Sequence, residues 1–81
     1  MNIYVGNLNY KVKENDLMQA LQEYGTVASV KIITDRETRR SKGFGFVEMP
    51  NDEEAQKVIE QLNGAEFMGR QIVIKEAIPR S

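Results

Sequence analysis

At 81 residues, with 41% hydrophobic and 28% charged side chains, the chain has the make-up of one small globular domain, 1–81. It contains no cysteine and no histidine, which excludes disulfides, thiol chemistry, zinc sites and the usual nucleophile–base pairs. The net charge of −1 and a pI near 5.4 speak against a polyanionic partner until the distribution of charge is considered.

Residues 2–8 alternate and are bounded by turn formers, which predicts a strand with Ile3 and Val5 inward and Tyr4 and Gly6 outward. A strand signal starting at about residue 2 leaves no room for a signal peptide, and no apolar run approaches a membrane span. The expectation is a cytoplasmic protein with no membrane partner. Asn9–Lys13 is a connecting loop, in which Tyr10 either rims the outward face or staples the loop. Residues 14–24 predict a helix with Leu17, Ala20, Leu21 and Tyr24 on one face and Gly25 as the C-terminal cap. Its start is weakly marked: Lys13 cannot accept a capping hydrogen bond, which leaves Asn15 as a cap or Glu14 and Asp16 as partners of the dipole. Residues 26–34 are β-branched and strand-like, with Val27, Val30 and Ile32 inward and Lys31 and Ile33 outward. Asp35–Ser41 is a charged hairpin connection, either a solvated tip or a basic arm that closes over a ligand.

The next strand, Lys42-Gly43-Phe44-Gly45-Phe46-Val47-Glu48-Met49, organises the chain. Gly43, Gly45, Val47 and Met49 make one small apolar face; Lys42, Phe44, Phe46 and Glu48 make the other. Leaving two phenylalanines uncovered costs roughly 1.5–3 kcal/mol each relative to burial, so they ask for a use. Flat rings beside a cation suit base stacking with a phosphate nearby. Pro50 then stops the sheet, and Asn51 with Glu54 looks like a capping box opening a helix over 51–63. Ala55, Val58, Ile59 and Leu62 form its buried stripe. Residues 65–70 turn through Gly69, and 71–77 form a last strand with Ile72, Ile74 and Ala77 inward and Gln71, Val73 and Lys75 outward.

The helices 14–24 and 51–63 carry seven acids against one base, a charge of −6, which leaves +5 for the strands and loops. The acidic helices are expected to stay clear of nucleic acid. The strand side suits it, with modest affinity and a shallow salt dependence.

The octet 42–49 resembles the first signature of the RNA recognition motif, K/R-G-F/Y-G/A-F-V-x-F/Y, at seven of eight positions. Only Met49 departs, at a core-facing position. Ile3-Tyr4-Val5-Gly6-Asn7-Leu8 resembles the second signature throughout. The nearest likeness is to the small single-domain proteins of the bacterial and glycine-rich kind. Two departures bear on shape: relatives usually have Thr near Lys13 and Gly where Arg39 stands, and Arg39 removes a position that favours positive φ.

The resemblance implies an α+β, ferredoxin-like βαββαβ fold, with a four-stranded antiparallel sheet in the order 4-1-3-2 and both helices on one face. It implies that Tyr4, Phe44 and Phe46 stack on bases and sugars of single-stranded RNA, with single-stranded DNA a second candidate, and that Lys42 meets a phosphate. Edge contacts from Asn2, Lys31, Gln71, Lys75 and Glu76 would set sequence preference, and Arg39 and Arg40 would form the basic arm. At about 1–3 kcal/mol per stacked base, affinity falls in roughly the micromolar range. The expected protein is a monomer without cofactor or metal that regulates transcripts. A protein-binding module using the aromatic face is the competing class. An enzyme of the acylphosphatase type shares the split plan, but residues 6–10 lack the phosphate-cradling arginine of that family, so no catalysis is expected.

Overall fold

In the computed structural model, residues 1–39 and 41–77 are described; Arg40, residues 78–81 and the side chain of Ser41 lie outside that description. The elements run β1 (Asn2–Gly6), α1 (Glu14–Gln22), β2 (Ser29–Thr34), β3 (Ser41–Glu48), α2 (Asp52–Leu62), β4 (Glu66–Phe67), β5 (Arg70–Gln71) and β6 (Val73–Ala77). One sheet has the order β2-β3-β1-β6, which is the expected 4-1-3-2 when its four strands alone are counted. All its pairings are antiparallel.

The period-two pattern explains why this sheet has one dry side. Ile3, Val5, Val30, Ile32, Val47 and Ile74 join Leu17 and Leu21 of α1 and Ala55 and Val58 of α2 in a single buried cluster. Met49 is completely buried, so the departure from the octet lies in the core, as its parity predicts. Ile59, Leu62, Tyr24 and Val27 pack around the margin.

Several boundaries differ from the expected ones, each for a local reason. β1 ends at Gly6 because Asn7 takes φ 56°, which turns the chain out of the extended region. α1 stops at Gln22, where Tyr24 N–H bonds the Leu21 carbonyl at 2.9 Å and tightens the last turn. Gly25 is not the left-handed cap expected of it, since its φ is not positive. The side chain of Glu54 crowds it instead, within 2.5 Å of where a Cβ would stand. At the start of α1, the Lys13 N–H donates to Asp16 Oδ2 at 3.0 Å, so Asp16, and not Asn15, satisfies the entry.

The capping box expected on α2 is half made. Asn51 Oδ1 accepts from the Glu54 N–H at 3.1 Å, but the Glu54 carboxylate accepts from Thr26 N–H at 3.1 Å. That long-range bond ties α2 to the segment before β2, which starts at Ser29. Arg39 keeps the left-handed turn that it was expected to remove: its φ is 59°, at a cost of about 1–2 kcal/mol for a residue with a Cβ. Its N–H donates to the Asp35 carbonyl at 2.7 Å.

The turn at 65–70 is a hairpin of its own, with Glu66 opposite Gln71 and Phe67 opposite Arg70. Its two central residues, Met68 (φ 51°) and Gly69 (φ 86°), have the signs a type I′ turn needs. Methionine is a poor occupant of the first position and asparagine a good one. Met68→Asn is therefore expected to stabilise the fold by up to about 1 kcal/mol, measured by urea denaturation. Gln71 consequently belongs to this hairpin, so the last strand starts at Val73 and not at Gln71, which is exposed. Ala77 is also corrected. It lies opposite Asn2, and Glu76 lies opposite the buried Ile3, so register puts Ala77 on the open side and Glu76 on the helix side.

Candidate nucleic-acid interface

Register assembles the open face in rows across the strands. In the central row Lys31 of β2 opposes Phe46 of β3, Phe46 opposes Tyr4 of β1, and Tyr4 opposes Lys75 of β6. Two rings are thus flanked on both sides by a lysine. One neighbouring row holds Ser29, Glu48, Asn2 and Ala77. On the other side of the central row stands Phe44.

The three rings form one cluster. Tyr4 and Phe44 stack at 5.9 Å between centroids with 28° between planes; Phe46 meets Tyr4 at 5.9 Å and 66°, and Phe44 at 6.3 Å and 87°. Phe46 is 40% exposed. Such spacings suit aromatic pairs, and they leave ring faces presented to solvent. Gly6 is what lets Tyr4 lie down: a Cβ there would stand 2.6 Å from the phenolic oxygen and 2.7 Å from the ring. Lys75 Nζ sits 5.4 Å from the Tyr4 centroid, a cation–π distance.

A bulge sets the reach of β3. The β2–β3 register shifts between Ile32 and Thr34, and Gly43 takes φ 84° there. The Gly43 carbonyl accepts from Leu8 N–H at 2.8 Å, so the bulge fastens the β1–α1 loop to the sheet. Lys42 lies beside Tyr4 and Phe44 at this end of the face.

The structure therefore gathers Tyr4, Phe44, Phe46, Lys31, Lys42 and Lys75, with Asn2 one row away. Among the described residues, none of these lysines is in an ion pair. Glu76 is turned to the other side of the sheet by register, a correction to its expected place among the edge contacts. Arg39 stands off the rows of rings, in an adjoining hollow that it lines with Tyr10, Lys11, Lys13, Glu14 and Ile32. Arg40 lies outside the described residues.

Sequence reasoning passed over Arg70. Its Nη2 donates to Asn7 Oδ1 at 2.8 Å, and its guanidinium stands 5.9 Å from the Tyr10 centroid. Asn7 and Arg70 are 63 residues apart, and no local pattern pairs them. The signal that could have raised it is the Met68-Gly69 turn, which folds Arg70 back toward the end of β1.

Comparison with known proteins agrees with this geometry. A family model for the RNA recognition motif matches residues 3–73. The chain is 54% identical over 80 residues to the Synechocystis protein named "Putative RNA-binding protein RbpA", covering 99% of this chain and 79% of that one. The crystal structure of RNA binding protein PG1 superposes with a TM-score of 0.95 at 58% identity, covering 100% of this chain and 98% of the other. The Rna15 RNA recognition motif with bound GU RNA superposes at 0.84 with 26% identity, over 94% of this chain and 81% of that one. Both signatures, the sheet order and the match over nearly the whole length converge: this chain belongs to the RNA recognition motif family.

Proposed function

We propose that the chain binds short single-stranded RNA across the open sheet face, with bases and sugars lying on Tyr4, Phe44 and Phe46. The observation that carries this is the row Lys31–Phe46–Tyr4–Lys75, two aromatic rings between two lysines that form no ion pair among the described residues, on the side of the sheet away from the buried cluster with α1 and α2. Rings supply a sequence-tolerant platform, and the flanking ammonium groups supply phosphate partners on either side. Lys42 serves the end beside Phe44. Single-stranded DNA offers similar flat bases and the same phosphates and is a second ligand of the face. The role is binding rather than catalysis, exerted by a monomer in the cytoplasm, with transcript regulation as its outcome.

The test is an amide shift titration with pooled short single-stranded RNAs. Shifts should concentrate on β1, β3 and the adjoining parts of β2 and β6. The outer faces of α1 and α2, which carry Glu14, Asp52, Glu53 and Glu60, should stay still. Shifts centred on the helices would contradict the assignment of the face.

A further inference from the structure

Beyond the Phe44 end of the ring cluster lies a hollow of about 180 Å³ whose walls include Asn7, Tyr10, Lys42, Phe44 and Arg70. Among the described residues, no carboxylate lines it. It is built from parts far apart in sequence. Asn7 holds the left-handed φ of 56° and uses both ends of its side-chain amide: Nδ2 donates to the Gln71 carbonyl at 2.6 Å, and Oδ1 accepts from Arg70. Asn9 Nδ2 donates to the Met68 carbonyl at 3.0 Å and holds the tip of the hairpin. Two asparagines of the β1–α1 loop thus dock the β4–β5 hairpin, and Arg70 is oriented by a neutral partner, with no ion pair to it among the described residues. Tyr10, 65% exposed, presents its ring beside that guanidinium and against Gly43.

We infer that this hollow is a subsite for one further nucleotide of a bound RNA strand, with its phosphate between Lys42 and Arg70 and its base against Tyr10. The inference rests on the RNA-binding reading above and extends the platform past Phe44. Arg70 is pre-oriented, so little side-chain freedom is lost when a phosphate arrives. Asn7 is a positioning residue that acts through Arg70.

Random-sequence RNA pools of two, three, four and five nucleotides, titrated calorimetrically against the parent, Arg70→Gln, Arg70→Lys and Tyr10→Ala, test this. Arg70 and Tyr10 are both exposed, and an amide spectrum establishes that each variant is folded. For the parent, affinity should rise by about fivefold or more once length exceeds what the rings hold. In Arg70→Gln and Tyr10→Ala that rise should fall below about twofold, with dinucleotide affinity close to the parent's. The salt dependence of the longest pool should be shallower by about 0.7 in Arg70→Gln and restored in Arg70→Lys. An unchanged rise and slope in Arg70→Gln would overturn the subsite, as would an equal loss at every length. Failure of the folded parent to bind any pool would overturn the RNA-binding reading itself.

Discussion

Replacing Tyr4, Phe44 and Phe46 together by alanine should abolish measurable RNA binding in a protein that still folds. Each ring is worth about 1–3 kcal/mol by truncation, or roughly 5- to 150-fold in affinity. The single losses should not add. Phe44 lies stacked on Tyr4 and Phe46 packs on edge against both, so removing one ring changes the setting of the others. Tyr4→Phe keeps the stacking face and the Lys75 contact and should cost little. The rings stand on the side of the sheet away from the buried cluster, so the thermal transition should survive in the triple variant. Fluorescence titration beside circular dichroism separates the two effects. A folded triple variant that binds as the parent does would end the assignment, and the face would be better tested as a protein contact by sedimentation.

The second large effect falls on stability. Gly45→Ala would put a Cβ 2.5 Å from the Lys31 carbonyl oxygen and 3.2 Å from Ile32 Cα, both backbone atoms of β2. Backbone in a sheet cannot rotate aside, so the β2–β3 pairing must open. A loss of about 1–3 kcal/mol is expected, with a fall of roughly 4–8 °C in Tm for each kcal/mol. Gly6→Ala is the informative contrast. Its new methyl also meets atoms closer than 3 Å, but they belong to the Tyr4 ring, which can lift toward solvent. Thermal denaturation should therefore separate the two variants, Gly45→Ala melting earlier and Gly6→Ala melting near the parent while binding RNA less well.

Much of this was legible in the sequence because it depends on parity along one strand. Tyr4, Phe44 and Phe46 could be assigned to one side of the sheet from alternation alone, and Met49 to the other. What was not legible depends on pieces meeting across the chain. Glu54 looks like a capping residue when only its neighbours are considered, yet its carboxylate goes to Thr26. Gly25 looks like a helix stop and is a clearance for that same side chain. Ala77 was assigned inward on its apolar character, against the alternation that Lys75 sets and that the pairing with Asn2 follows. Arg70 carried no signal beyond the Met68-Gly69 turn before it, since its orientation comes from Asn7 at the far end of the chain. Arg39 erred in the opposite direction, since the turn imposed its backbone shape on a residue that disfavours it.

The row of rings and lysines also has a consequence for folding. Its four members come from all four strands of the sheet, and β1 joins it to β3 and β6 through pairings between residues more than 40 positions apart. Those contacts close the longest loops and are the slowest kind to form. The binding surface is therefore absent from any partly folded chain in which β1 has not yet docked. A strand of RNA lying across Tyr4 and Phe46 bridges that seam, and it recognises the native state alone. Saturation at about 100 times Kd would then add about 2.7 kcal/mol to the unfolding free energy. Hydrogen exchange at β1 should slow with it, making the ligand a clamp on the last part of the sheet to assemble.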